Sequence, residues 1–327
     1  MILVTGGAGF IGSNLVRALN ARGEDDILVV DDLSDSSKIR NLRDCRFTDY
    51  LDKTELLELV RKRGIVKPAV ICHQGACSDT MESDGRYMME VNFSYSKALL
   101  HYALESAVPF IYASSASVYG SGSVFREDPA VESALNVYAF SKLAFDRYVR
   151  RAIVQADSQV VGLRYFNVYG PGETHKGRMA SVAFHFYEQY RDNQRMRLFV
   201  GSGGYADGAQ ERDFVWVEDA AAVNLHFMDH PDVSGIFNVG TGRSRSFNDV
   251  ALAVIRTRDK TDSTLGAAVD AGKIEYTAFP EGLRERYQSY TCADIGALRG
   301  AGYTDSFLDV EEGVGEYVRR LMSDDGV

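Results

Sequence analysis

The apolar, β-prone run Met1 to Thr5 leads straight into Gly6-Gly7-Ala8-Gly9-Phe10-Ile11-Gly12, after which apolar side chains recur at helical spacing at Ile11, Leu15, Val16 and Leu19. A strand that enters a helix through a tight glycine turn must return as a parallel neighbour, so this opening restricts the chain to a few α/β folds. Each glycine has a physical task. Gly6 allows the sharp turn, Gly9 leaves no side chain between the backbone and a bound phosphate, and Gly12 lets the helix approach the sheet. The start of that helix presents unpaired N–H groups and the positive end of its dipole to an anion. A dinucleotide site also needs an acid at the end of the second strand, about 20 residues on. The apolar run 27–30 leads into Asp31.

The rest of the chain follows the same rhythm. A short strand is expected at 46–48, a helix at 53–63, a strand at 69–73, a long helix at 84–106 and a strand at 110–113. A helix at 138–149 and a strand at 159–166 complete the series. Alternating strands and helices predict an α/β, doubly wound, Rossmann-type parallel sheet covered on both faces. Beyond Phe166 the pattern changes to Gly/Pro-rich and polar stretches at 167–178, 201–210 and 259–272, the last read as irregular and 201–210 as a mobile loop. These predict a smaller mixed α/β substrate domain. Two further strands, 213–217 and 235–239, are expected to return to the main sheet. The expected division is 1–167, joined by 213–245, for the dinucleotide, and 168–212 with 246–327 mainly for substrate.

The 327 residues carry a formal charge of −10 and no long basic block, which argues against nonspecific nucleic-acid or membrane-surface binding. Cys45, Cys72, Cys77 and Cys292 show no CxxC spacing, so neither a disulfide framework nor a zinc site is expected. His73 and His175 have no ligating partners at metal spacing, and no metal is expected. With the first strand expected to begin at Met1 and no long apolar run present, the cytoplasm is the expected location.

A second informative stretch, Ala113-Ser114-Ser115-Ala116-Ser117-Val118-Tyr119-Gly120, follows the strand at 110–113. Loops at the carboxyl ends of such strands face the ligand crevice, so its hydroxyls are expected to face a cofactor; hydroxyls that merely end a strand in a turn are the alternative. Further on, Tyr138 and Lys142 stand four apart on one helix face. A nearby ammonium and an oxidised nicotinamide ring would both favour an ionised phenol, which could take a proton from an alcohol as its carbon loses hydride.

The glycine turn, the SSASVYG segment and the YxxxK pair resemble the extended short-chain dehydrogenase/reductase family. Within it, HQGACSDTMESDGRYMM (73–89), RYFNVYGPGETHKGRMASVAFH (164–185) and ERDFVWVEDAAAVN (211–224) resemble the epimerases that invert C6 of an ADP-bound heptose. The resemblance implies a nicotinamide dinucleotide used twice, for oxidation to a 6-ketone and for reduction on the opposite face, with an acid/base for each face. It carries over Tyr138 and Lys176 as those two groups, Ser115 as the hydroxyl that binds the reacting oxygen, and Lys142 as the partner of Tyr138 and holder of the nicotinamide ribose. It further implies cofactor contacts at Phe10, Ile11, Asp31, Asp32, Lys38, Lys53, Gln74, Gly75, Ala76, Cys77, Ser78, Asn92 and Val168. Substrate contacts are implied at Asn167, Arg178, His185, Phe199, Val200, Gly201, Ser202, Arg212 and Tyr287. A homo-oligomer, with a pentamer as the expected form, and a place in assembly of the lipopolysaccharide core complete what the resemblance implies.

The chain departs from the family pattern at Asp32, where Asn is usual, at Gln74, where Glu is usual, and at Val91, where Asn is common. The acid at Asp32 opposes the extra phosphate of NADP and Lys38 favours it, so NADP is expected with NAD as the alternative. A 4,6-dehydratase would place an Asp-Glu pair after Ser115, where this chain has Ala116-Ser117. Two rival readings are a nucleotide-sugar 4-epimerase and a non-catalytic NADP-binding regulator; the latter can dispense with Tyr138 and Lys142.

Overall fold

The computed structural model describes residues 1–281 and 287–324. Seven strands, β1 (Ile2–Thr5), β2 (Ile27–Asp31), β3 (Asp49–Asp52), β4 (Val70–His73), β5 (Phe110–Ser115), β6 (Val160–Tyr165) and β7 (Gly235–Val239), form one sheet. Their order is β7-β6-β5-β4-β1-β2-β3, and every pairing is parallel. The longer helices are α1 (Phe10–Ala21), α2 (Lys53–Lys62), α3 (Tyr95–Glu105), α4 (Val137–Ala152), α5 (Val182–Asn193), α6 (Val217–Asp229), α7 (Phe247–Asp259) and α8 (Val310–Asp324). None among the described residues is long and apolar enough to cross a membrane.

Alternation along the strands explains the layering. Ile2, Val4, Ile27 and Val29 face one side, where α1 and α6 cover them with Leu15, Val16, Leu19, Val223 and Phe227. Leu3, Leu28 and Val30 face the other, against Leu56 and Val60 of α2, Leu99 and Leu100 of α3, and Phe145 and Val149 of α4. Each such side chain, fully buried, contributes about 1.5–3 kcal/mol before conformational entropy is set against it. The chain goes outward from β1 to β3 and resumes on the other side at β4, so the order reverses between β1 and β4. A crevice opens at the carboxyl ends of those strands.

A second core lies outside the sheet, built from Tyr187 and Tyr190 of α5, Val250 and Val254 of α7, and Val314 and Tyr317 of α8. The strand Phe214–Trp216 pairs with Asn167–Tyr169 and not with the main sheet, which corrects the expected return at 213–217; the edge position beside β6 is taken by Gly235–Val239. Phe214 and Trp216 accordingly point into the second core and Val215 into the first. The strand expected at 46–48 forms one step later, at Asp49–Asp52. Its register is set by Leu28 opposite Asp49, while Thr48 N–H already donates to Ile27 O at 2.9 Å. The long helical stretch expected at 84–106 runs from Gly85 to Glu105 and contains a π-turn at Glu90–Ser94. The stretch 259–272, expected to be irregular, contains the short helix Leu265–Asp270, capped by Thr264 and anchored by buried Ala268.

Candidate active site

The glycine turn closes on the loop that follows β4. Gly6 has a φ of +66°, and a Cβ there would lie 2.6 Å from Gly75 N; a Cβ on Gly12 would lie 2.0 Å from Gly6 O. Neither position admits a side chain without moving backbone. Gly9 caps α1 with no side-chain acceptor, so the first-turn amides face the cleft without competition from a cap. A bare cradle at a helix N-terminus, at the crevice where strand order reverses, fits the pyrophosphate of a dinucleotide.

A cleft of about 760 Å³ runs from this turn along the carboxyl edge of the sheet. It brings together Gly6, Gly9, Phe10, Ile11, Gly12, Asp31, Lys38, Gln74, Gly75, Ala76, Cys77 and Ser78 with Ser115, Tyr138, Lys142, Asn167, Val168, Lys176, Arg178 and Arg212. Asp32, Lys53, Asn92, His185, Phe199, Val200, Gly201, Ser202 and Tyr287 stand behind it or outside it. Asp32 is ion-paired to Lys53 at 2.6 Å, a contact that holds its carboxyl well below the ordinary aspartate value. Asn92 sits in the π-turn, whose extra residue aims its amide at the loop after β4. There Asn92 Oδ1 accepts Cys77 N–H at 2.8 Å and its Nδ2 donates to Cys77 O at 3.0 Å. Tyr287 meets Phe199 edge-to-face and lies 5.1 Å from the Arg212 guanidinium, so it touches the cleft through Arg212. His185, half-buried on α5, has its ring centroid 6.2 Å from that of Phe184. Val200 O and Ser202 Oγ both accept from the Gln210 amide.

Asp31 lines the cleft and is also held by the turn itself. Its carboxylate accepts Ala8 N–H at 2.8 Å and Asp32 N–H at 2.7 Å and is ion-paired to Lys38 at 3.0 Å. It shapes the glycine turn from within.

Around Tyr138 burial is the leading electrostatic influence. Burial raises its pKa, with the Ser115 hydroxyl pulling the other way and Cys77 adding to the rise. Burial also pushes Lys142 down to about 8, opposed by Asp146 one turn further along α4. Lys142 Nζ donates to Ala113 O at 2.9 Å. On the loop between Tyr169 and α5, burial lowers the pKa of Lys176, and Glu173 opposes the shift. Lys176 Nζ stands 5.3 Å above the Phe10 ring.

Several residues that shape this site carry no local signal. Asn14 Nδ2 donates to Pro171 O at 2.8 Å, and Asn41 Nδ2 to Ala8 O at 3.0 Å and Gly172 O at 2.9 Å, tying the Lys176 loop to the glycine turn. Buried His73, pushed down to about 3 by burial, joins Thr5 Oγ1 at 2.6 Å to Ser96 Oγ at 2.8 Å beneath the β4 loop. Among the described residues no cluster of His, Cys, Asp or Glu could hold a metal ion.

The sequence model of the NAD dependent epimerase/dehydratase family matches residues 2–240. The chain is 57% identical over 324 residues to the ADP-L-glycero-D-manno-heptose-6-epimerase of Pseudomonas paraeruginosa, covering 98% of each chain. It is 57% identical over 326 residues to the enzyme of that name from Thiobacillus denitrificans, again covering 98% of each. Among solved structures it resembles Helicobacter pylori ADP-L-glycero-D-manno-heptose-6-epimerase, with a TM-score of 0.80, 30% identity, and 98% and 96% of the two chains covered. Thermus thermophilus UDP-glucose 4-epimerase in complex with NAD gives a TM-score of 0.77 at 27% identity, with 98% of both chains covered.

Proposed function

The chain belongs to the NAD dependent epimerase/dehydratase family, and from that premise we propose that it inverts C6 of the heptose in ADP-D-glycero-D-manno-heptose, giving the L-glycero epimer. The chain is a nucleotide-sugar epimerase that works with a nicotinamide cofactor. When bound, that cofactor accepts a hydride from C6 and later returns it, so the cycle has no net redox change. The glycine turn, Lys38 and the Gly75-to-Ser78 loop hold it. Tyr138, on the first turn of α4, exchanges a proton with the reacting oxygen on one face, with Ser115 hydrogen-bonding that oxygen. Lys176, on a separate loop, serves the other face, because one side chain cannot meet both epimeric hydroxyls. Arg212 and Arg178 bind the anionic ADP portion.

The observation that carries this reading is that two groups able to move protons enter one cleft from different elements, beside a cradle shaped for a dinucleotide. NADP is the resident form, since Lys53 offsets the charge of Asp32 that would repel a 2′-phosphate. Residues 1–167 with 213–245 hold the cofactor, 168–212 and 246–327 mainly the sugar nucleotide, and the protein works as a homo-oligomer. The test is incubation of the purified protein with ADP-D-glycero-D-manno-heptose, without added cofactor, followed at C6 by proton NMR. Inversion that falls to a slow residual rate in Tyr138→Phe supports the reading; no inversion, with turnover of a UDP-hexose, rejects it. Denaturation of the same sample releases the nucleotide for identification as NADP or NAD, and light scattering gives the subunit number.

A further inference from the structure

Glu173 is fully buried, and nothing in the sequence pattern marks it. Its Oε1 accepts Gly170 N–H at 3.2 Å and Ser181 Oγ at 2.7 Å, and its Oε2 accepts Ser181 N–H. One carboxylate therefore closes a loop at both ends, and that loop carries His175, Lys176 and Arg178. A buried carboxylate with only neutral donors is costly. Burial raises the Glu173 carboxyl, opposed first by the two Ser181 donors and then by the charge of Lys176, and Glu173 in turn favours the charge on Lys176 against burial.

We propose that Glu173 is the positioning residue of the second proton-transfer group: it fixes the 170–181 loop through its carboxylate and supplies the counter-charge that lets Lys176 be both acid and base. This rests on the reading that Lys176 exchanges a proton with substrate. Other charged groups near Lys176 are arranged differently. Arg178 is paired with Asp79 at 2.7 Å, Lys38 with Asp31 at 3.0 Å, and His175 feels Lys38, Asp35 and Asp31. Tyr138 and Lys142 share the cleft from α4. On its far side Glu173 meets Tyr317 of α8, whose ionisation it disfavours. A purely structural role has a separate explanation in Ser181, which caps α5, so the test must read something that capping does not move.

The experiment compares the wild type, Glu173→Gln, Glu173→Asp and Lys176→Met, measuring kcat and KM for ADP-D-glycero-D-manno-heptose from pH 6 to 10 and reduction of the bound cofactor at 340 nm. Removing a neighbouring negative charge makes the ammonium easier to deprotonate. In Glu173→Gln one limb of the kcat profile should therefore move to lower pH by about one unit. Its KM should stay within about threefold and its kcat near neutral pH should fall about tenfold, the pattern of a group that acts at the reacting centre. Glu173→Asp keeps the charge and should keep the limb in place even where kcat falls. A Glu173→Gln enzyme whose activity drops equally at every pH overturns the proposal, and so does equal behaviour of the Gln and Asp variants. Lys176→Met should lose inversion while still reducing the cofactor; if it epimerises normally, the reading of Lys176 fails and the proposal fails with it, a pattern distinct from an unmoved limb in Glu173→Gln alone.

Discussion

Replacing Arg164 by Met should destabilise the protein by about 3–5 kcal/mol, the usual cost of removing one partner from a buried ion pair. Arg164 on β6 is fully buried and meets two buried carboxylates: its Nε donates to Asp146 Oδ2 at 2.8 Å and its Nη2 to Glu132 Oε1 at 2.5 Å. Glu132 keeps Arg150, whose Nη1 donates to Oε2 at 2.9 Å, so the larger loss falls on Asp146. Asp146 retains two neutral donors, Tyr112 OH and Ser114 Oγ, each at 2.9 Å, which places the cost near the middle of the range. Against a typical stability of 5–15 kcal/mol this is a large fraction. Urea unfolding followed by far-UV circular dichroism measures it. Removing the stranded charge as well, in Arg164→Met/Asp146→Asn, should recover about 2 kcal/mol through the coupling term. The pH dependence gives a further check. Burial raises the Glu132 carboxyl, but Arg150 and Arg164 outweigh it and hold it below its ordinary value of 4.5, so its contribution exists above that pH and is lost as pH falls. The Glu132 share of the variant's deficit should therefore be full at pH 7 and shrink below pH 4.5. A loss under about 1 kcal/mol at pH 7, or one that grows on acidification, refutes the reasoning.

Three further outcomes follow from the structure. Gly12→Ala places a Cβ 2.0 Å from Gly6 O, so α1 must shift and the purified protein should lose at least about 90% of its bound nucleotide, as read by chromatography after denaturation. Lys53→Met leaves Asp32 without the ammonium at 2.6 Å, and the affinity ratio of NADP to NAD should fall about tenfold in titrations of the cofactor-stripped protein. Asp219 is pushed up to about 6 by burial, with Leu308 N–H opposing, so its stabilising contribution is present at acid pH and is lost as pH rises through 6. Asp219→Asn should thus raise the melting temperature relative to wild type by about 2–4 °C at pH 8, with no gain at pH 4, as calorimetry at the two pH values would show.

What the sequence reveals is what short-range physics determines. Gly6, Gly9 and Gly12 lie between a strand and a helix, and Tyr138 and Lys142 share a helix face, so neighbours in the chain suffice to place them. The alternation from β1 to β6 is legible for the same reason. The pairing of Phe214–Trp216 with Asn167–Tyr169 is not, because it depends on which strand occupies the edge beside β6. Nor are Glu173, Asn14 and Asn41 legible, since each acts on backbone groups that approach it only after folding. Asp31 is legible as an acid at a strand end, while its contacts with Ala8 N–H, Asp32 N–H and Lys38 depend on the folded turn.

The electrostatics of Tyr138 and Lys142 bear on how the proton moves. Burial disfavours both charged forms, raising the phenol and bringing the ammonium down to about 8. Lys142 Nζ donates to Ala113 O at 2.9 Å. A positive charge beside Tyr138, such as an oxidised nicotinamide would bring, would favour its ionisation. That dependence suits a reversible cycle, because the phenolate is favoured when the alcohol must lose its proton and the phenol when the ketone must gain one. Lys142→Met should accordingly reduce kcat at least about tenfold by weakening cofactor placement, while the limb of the pH–kcat profile that reports Tyr138 stays within about 0.3 unit of its wild-type position. The limb is identified by the slow residual turnover of Tyr138→Phe, in which it should vanish. A limb displaced upward by a full unit in Lys142→Met would show that the ammonium acts on the phenol directly, and the dependence on cofactor charge would fall.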